Sequence, residues 1–232
     1  MNGVRNPLGC NPYPSDDMRA ILVHGMGRSP LSLLLLAKRL RSFGIGVDLF
    51  GYSTLRPFAV SLNRLVNRVL ALDEPFILVG HSLGCVLIRA SLPRLRRRPS
   101  ACFFLAPPNR VPRAARLFGR NRLSQLLTGG SGRLLSDDDF MAALPVPECP
   151  VRVYAGTAGY TGRLSPFRYE PNDGILAVSE TVLSPSNAPV LVPVLHTFIM
   201  NSEVVARDIA STVASLTEPA SRTPRRPARR PA

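Results

Sequence analysis

The stretch Phe76-Ile77-Leu78-Val79-Gly80-His81-Ser82-Leu83-Gly84-Cys85 carries a change of rhythm that decides the fold. Four apolar residues, too few and too continuous for an amphipathic helix, read as a buried strand. They run into Gly80-His81-Ser82-Leu83-Gly84, and a helical pattern of apolar residues follows over 83–95. A serine held at such a strand-to-helix turn sits on a tight, strained backbone. Glycines on either side leave room for strand and helix to approach each other. The turn presents the Ser82 hydroxyl at the carboxyl edge of a sheet and puts the Leu83 N–H at the start of a helix, where developing negative charge is favoured.

Outward from this turn the chain alternates short apolar runs with helical periodicity. Strands are expected at 20–23, 46–50, 76–79, 101–105, 151–155 and 190–195, and helices at 31–43, 57–72, 83–95 and 202–216. Alternation of this kind predicts an α/β fold: a mostly parallel sheet of about six strands with helices on both faces. The 232 residues allow one fully cored domain, and the 45% apolar content is enough to fill both faces of its sheet. The expected organisation is an N-terminal arm (1–18), a catalytic domain (19–216) with a short cap region near 107–150, and a basic tail (217–232). The cap region interrupts the rhythm with Arg110, Arg113, Arg116, Arg120 and Arg122. Residues 111–127 could form a basic amphipathic helix, either covering the site or approaching anionic lipid.

The net charge of +14 rests almost wholly on arginine, since Lys38 is the single lysine. Part of it lies in the proline-rich run after Ser221, where nothing apolar drives folding, and disorder is expected. Cap and tail together could make weak contact with anionic lipid or another polyanion. No aromatic-bearing recognition motif points to specific nucleic-acid binding. No run approaches the roughly 20 apolar residues of a membrane span, and the first twenty residues lack the apolar core of a secretory signal, so a cytoplasmic location is expected. The four cysteines (Cys10, Cys85, Cys102 and Cys149) form no C-x-x-C pair, which argues against a zinc site and a disulfide framework. They read as free thiols, and Cys85 as packing beneath Ser82. No metal or cofactor is implied.

A serine needs a base, and the chain has three histidines. His24 belongs to the glycine-rich loop His24-Gly25-Met26-Gly27, which follows the first strand. That loop could supply a second oxyanion donor, the Met26 N–H, beside that of Leu83. His81 precedes the nucleophile, and chain direction turns its side chain away. His196, at the end of the last apolar run, remains. Its acidic partner must come from Asp137, Asp138, Asp139, Glu148, Glu170, Asp173 or Glu180. Asp173 is favoured because a turn at Asn172-Asp173-Gly174-Ile175-Leu176 would aim it at the end of the neighbouring strand. Glu170 is the alternative, and the aspartate run at 137–139 reads as an exposed face or a helix start.

The order Ser82, Asp173, His196, together with His24-Gly25-Met26-Gly27 and Gly80-His81-Ser82-Leu83-Gly84, resembles the α/β-hydrolase superfamily, and most its small lipase and esterase members. The resemblance spans about residues 19–216. It implies an acyl-enzyme on Ser82 and hydrolysis of a small-molecule or lipid ester by water activated through His196. Strand 20–23 matches the family's third strand. The first two would have to come from residues before Asp17 and are expected to be absent, which leaves a minimal sheet. A thioesterase, amidase or acyltransferase could use the same three residues. A catalytically silent scaffold that binds an acidic partner through its basic cap and tail is the reading from another class.

Overall fold

The computed structural model describes residues 18–113 and 134–217. Six parallel strands form one sheet: β1 (Arg19–Val23), β2 (Gly46–Phe50), β3 (Phe76–His81), β4 (Ala101–Leu105), β5 (Val151–Gly156) and β6 (Val190–Val192), in the order β2-β1-β3-β4-β5-β6. The helices that position the site are α1 (Leu34–Ser42), α2 (Phe58–Leu70), α3 (Leu83–Ser91), α4 (Asp138–Ala143), α5 (Val178–Thr181) and α6 (Glu203–Thr217). The expected α/β class and strand number hold.

Two-residue alternation sorts the strand side chains into two cores. Ala20, Leu22, Ile77, Val79 and Phe103 pack under α1 and α6, whereas Ile21, Val23, Leu78, Cys102 and Phe104 pack under α2 and α3. On α6 the buried positions Val205, Ala206, Ile209, Ala210 and Val213 recur at helical spacing. The same helix is tied to the sheet by Asp208, which accepts hydrogen bonds from Arg152 at 2.6 and 3.1 Å and from the Tyr154 hydroxyl at 2.7 Å.

From β1 the chain crosses by α1 to β2 on one side, then returns by α2 to β3 on the other side of β1. Strand order therefore reverses between β1 and β3. In a sheet of this kind ligands bind in the crevice beyond the carboxyl ends of the strands at such a reversal. The two loops that leave this point carry Gly25 and Ser82.

Some boundaries differ from those expected. β3 runs two residues further, because Gly80 and His81 still pair with Phe104 and Leu105. β6 stops at Val192 rather than continuing to residue 195. Pro193 has no N–H to offer the ladder, and the Val194 N–H turns back to the Val192 carbonyl at 2.8 Å. Of the helices expected at 31–43 and 83–95, the start of the first and the end of the second are 3-10 turns, Pro30–Leu33 before α1 and Leu92–Arg94 after α3, where proline occupies a leading position. Asp137 caps α4 by accepting the Phe140 N–H at 3.0 Å, so the aspartate run is a helix start. The amphipathic segment expected at 111–127 and the basic tail lie almost wholly outside the described residues. No helix among the described residues is long and apolar enough to cross a membrane.

Candidate functional site

Ser82 stands between β3 and α3 with φ 51° and ψ −120°, a conformation that residues with a side chain rarely adopt. It is held there from both sides: its N–H donates to the Leu105 carbonyl at 3.0 Å, and its carbonyl accepts the Cys85 N–H at 2.9 Å. The glycines of the motif are required sterically. A Cβ at Gly84 would stand 2.3 Å from the Val23 carbonyl oxygen, and one at Gly80 would stand 2.8 Å from the Cys85 nitrogen. α3 thus begins directly against the end of β1. Ser82 itself is half-buried.

The loop after β1 lies against the serine. A Cβ at Gly25 would come 3.1 Å from the Ser82 Cβ and 2.8 Å from His81 Nδ1. Gly27, with φ 64°, turns the loop, and its N–H donates to the Thr54 hydroxyl at 3.3 Å. His24 anchors the loop rather than facing solvent. Its ring stacks on Tyr52 at 4.4 Å, its Nδ1 donates to the Gly25 carbonyl at 2.9 Å, and its own carbonyl accepts the Tyr52 hydroxyl at 2.8 Å. Burial lowers its pKa and keeps it neutral. Met26, half-buried, packs at the margin of the α2/α3 core.

Asp173 and His196 meet beyond the ends of β5 and β6. His196 Nδ1 donates to Asp173 Oδ2 at 2.7 Å, and the His196 N–H donates to the Asp173 carbonyl at 2.9 Å. The other carboxylate oxygen, Oδ1, accepts the N–H groups of Ile175 at 2.9 Å and Leu176 at 2.7 Å. The turn that makes this cradle needs Gly174 at φ 92°, and Asn172 Oδ1 closes it by accepting the Gly174 N–H at 2.9 Å. Gly156 completes the fit, since a Cβ there would stand 2.7 Å from the Asp173 Cβ. Asp173 is 2% exposed and His196 6%, so their contact is shielded from competing water.

The other acidic candidates are engaged elsewhere. Glu170 pairs with Arg113, Glu148 with Arg98, and Glu180 is buried, accepting the N–H groups of Ala177 at 2.8 Å and Arg113 at 2.6 Å. Cys85 is fully buried, and burial pushes its thiol pKa up, away from reactivity.

His81 has a part that the sequence does not signal. Its side chain is buried in the wall of the site: Nε2 donates to the His196 carbonyl at 3.1 Å, and the two rings lie 5.0 Å apart. Because a carbonyl can only accept, Nε2 carries the proton and Nδ1 is bare, buried and without a partner among the described residues. Burial, and secondarily the nearby His196 ring, hold its pKa well below the ordinary 6.5. The unfolded chain then takes up a proton near pH 6.5 that the folded chain refuses. This contribution to stability is complete above about pH 7.5 and is lost as the pH falls below 6.5, by up to about 1.4 kcal/mol per pH unit. Denaturant midpoints measured from pH 7.5 down to 5.5 should fall for the wild type and fall less steeply for His81→Gln, whose amide can still donate to the His196 carbonyl. Equal slopes would refute this account.

A second feature hidden from sequence reasoning is Arg89, on the apolar helix α3. It is 4% exposed and pairs with no carboxylate among the described residues; its donors go to the Leu144 carbonyl at 2.6 Å, the Pro145 carbonyl at 2.9 Å and Asn109 Oδ1 at 3.1 Å. Burial lowers its pKa to about 10. Asn109 in turn donates to the Thr181 carbonyl at 2.6 Å. Arg89 thus ties the helix behind Ser82 to the segments around Asn109 and Leu144-Pro145, and onward to α5.

A model of the alpha/beta hydrolase family matches residues 20–226. Among solved structures, the mature lipase of Bacillus licheniformis superposes with a TM-score of 0.66 at 15% identity, over 91% of this chain and 96% of that one. A metagenomic carboxyl esterase superposes with a TM-score of 0.61 at 18% identity, over 92% and 79%. A monoacylglycerol lipase of Paleococcus ferrophilus superposes with a TM-score of 0.59 at 16% identity, over 85% and 94%. No curated protein matches the chain significantly. With the family model covering most of its length and the sheet showing the same architecture, this chain belongs to the alpha/beta hydrolase family.

Proposed function

We propose that this protein is a serine hydrolase that cleaves carboxylic esters through an acyl-enzyme on Ser82, with His196 as base and Asp173 as its orienting acid. The observation that carries the reading is the pairing of a strained, half-buried serine at the β3–α3 turn with a buried Asp173–His196 hydrogen bond beyond β5 and β6. Either feature alone has structural explanations. Together they supply a nucleophile, a base and an orienting group at one edge of one sheet.

In this mechanism Asp173 keeps the His196 Nδ1 protonated, so Nε2 is the basic atom. It takes the Ser82 proton as Oγ attacks the ester carbonyl, and the imidazolium that forms is stabilised by the carboxylate. The N–H groups of Leu83 and Met26 receive the tetrahedral oxyanion. Leu83 qualifies because it opens α3, where the first N–H groups have no intrahelical acceptor, and the loop carrying Met26 is pressed against Ser82 by Gly25. His196 returns the proton to the departing alcohol, then activates water to release the acid. The substrate class is a small-molecule or lipid ester. A thioester, or an acyl acceptor other than water, would use the same groups.

A fluorophosphonate probe should label the purified protein at one equivalent, on the peptide that contains Ser82. Esters of 4-nitrophenol with increasing acyl length should be turned over, and faster than matched thioesters. A folded protein that takes no label would overturn the serine mechanism; preference for thioesters would overturn the ester assignment alone.

A further inference from the structure

At the opposite edge of the sheet, where the strands begin, two thiols touch. The sulfurs of Cys102, the second residue of β4, and Cys149, just before β5, lie 3.7 Å apart. The backbone holds them in register, since the Cys102 N–H donates to the Pro150 carbonyl at 2.9 Å and Cys102 pairs with Val151. Cys102 is fully buried. Cys149 is half-exposed and lines a cavity of about 280 Å³, together with Leu92, Leu95, Arg98, Pro145 and Val146.

We propose that Cys149 and Cys102 form an oxidisable dithiol site, in which a hydroperoxide entering this cavity oxidises Cys149 and Cys102 resolves the product into a reversible disulfide. The division of labour follows from position. Cys149 can be reached from solvent, and its thiolate is favoured first by the Cys102 S–H beside it and further by the charge of Arg98. Cys102, buried and hydrogen-bonded to Cys149, is held in the protonated form. Thiolate is the reactive species, so the exposed sulfur reacts first.

The chemistry balances without any other redox partner. The Cys149 thiolate attacks the peroxide, forming an S–O bond as the O–O bond breaks, and the departing alkoxide or hydroxide takes a proton from water. Cys102 then loses its proton and attacks the sulfenic sulfur; the S–S bond forms, the S–O bond breaks, and the leaving hydroxide takes that proton as water. Two thiols lose two electrons, and the hydroperoxide becomes an alcohol and water. The sulfurs must close from contact to about 2.05 Å, a movement the half-exposed Cys149, preceding its strand, can supply by side-chain rotation. The site is remote from Ser82 and does not depend on the ester-hydrolase reading.

The test treats the reduced full-length protein with a small excess of hydrogen peroxide, then counts thiols after denaturation and maps the cross-link by peptide mass. The expected result is a fall from four thiols to two, a single Cys102–Cys149 peptide pair, and full recovery of thiols with dithiothreitol. Cys102→Ser should instead accumulate a dimedone-reactive sulfenic acid on Cys149, and Cys149→Ser should retain its thiols. Far-UV circular dichroism, measured alongside, should be unchanged and reports that the fold survives. A cross-link involving Cys10, irreversible oxidation of Cys149 in the wild type, or no loss of thiols would each overturn the proposal.

Discussion

Ser82→Ala should lower kcat/KM for 4-nitrophenyl ester hydrolysis by at least about 10⁴-fold, and abolish fluorophosphonate labelling, while leaving the folded structure in place. The size follows from the mechanism: losing the nucleophile of a coupled serine–histidine pair removes nearly all covalent catalysis, and only a residual contribution from oxyanion donors and binding survives. The fold should tolerate the change because both hydrogen bonds that hold residue 82 at φ 51° are made by its backbone. Alanine keeps the strained conformation without adding bulk beside Gly25. An alanine variant that hydrolyses esters at the wild-type rate would place the chemistry elsewhere.

Asp173→Asn should reduce kcat by about 10³- to 10⁴-fold with little change in KM. The surroundings leave asparagine two poor choices. With its carbonyl oxygen in the Oδ1 position it satisfies the Ile175 and Leu176 N–H groups, but then its NH₂ faces His196 Nδ1. Two donors cannot pair, so the imidazole must adopt the tautomer that carries its proton on Nε2 and can no longer accept one from Ser82. With the amide flipped, two buried backbone N–H groups confront an NH₂, at a cost of about 1–3 kcal/mol for each unsatisfied group. The first arrangement is therefore favoured, and the defect should appear in the chemical step. Labelling of Ser82 should slow in proportion. An unchanged kcat would remove Asp173 from the mechanism and return Glu170 to consideration, although its ion pair with Arg113 argues against it.

The parts of the site legible in sequence are those whose chemistry is local. A glycine on each side of Ser82, an apolar strand before it and a helix after it are consequences of one tight turn, and all are written in consecutive residues. The Asp173 cradle is similar: Oδ1 binds N–H groups two and three residues further along, and Gly174 makes the turn possible. The overrun at β6 was also local, since Pro193 interrupts the apolar run; hydrophobicity alone does not reveal that a strand has run out of N–H donors.

His81 and Arg89 were not legible in this way. Chain direction suggests only that the His81 side chain points away from Ser82; the packed structure shows that it meets the His196 carbonyl, 115 residues away. Arg89 reads as one charge in an apolar helix; its partners at positions 109, 144 and 145 arrive through connections whose path no periodicity encodes. The contact of Cys102 with Cys149 is of the same kind, because neighbouring parallel strands are joined by long crossovers and spacing in sequence carries no information about proximity.

By itself, then, the sequence determined the α/β class, the strand count, the serine turn and the residues eligible to act with it, because each depends on periodicity or on hydrogen bonds within a few residues. Tertiary structure decided which acid meets His196, that His81 supports it, and that two thiols with no C-x-x-C spacing in sequence are in contact. Those outcomes depend on register between distant strands, and register is set by the packing of two whole cores against one sheet.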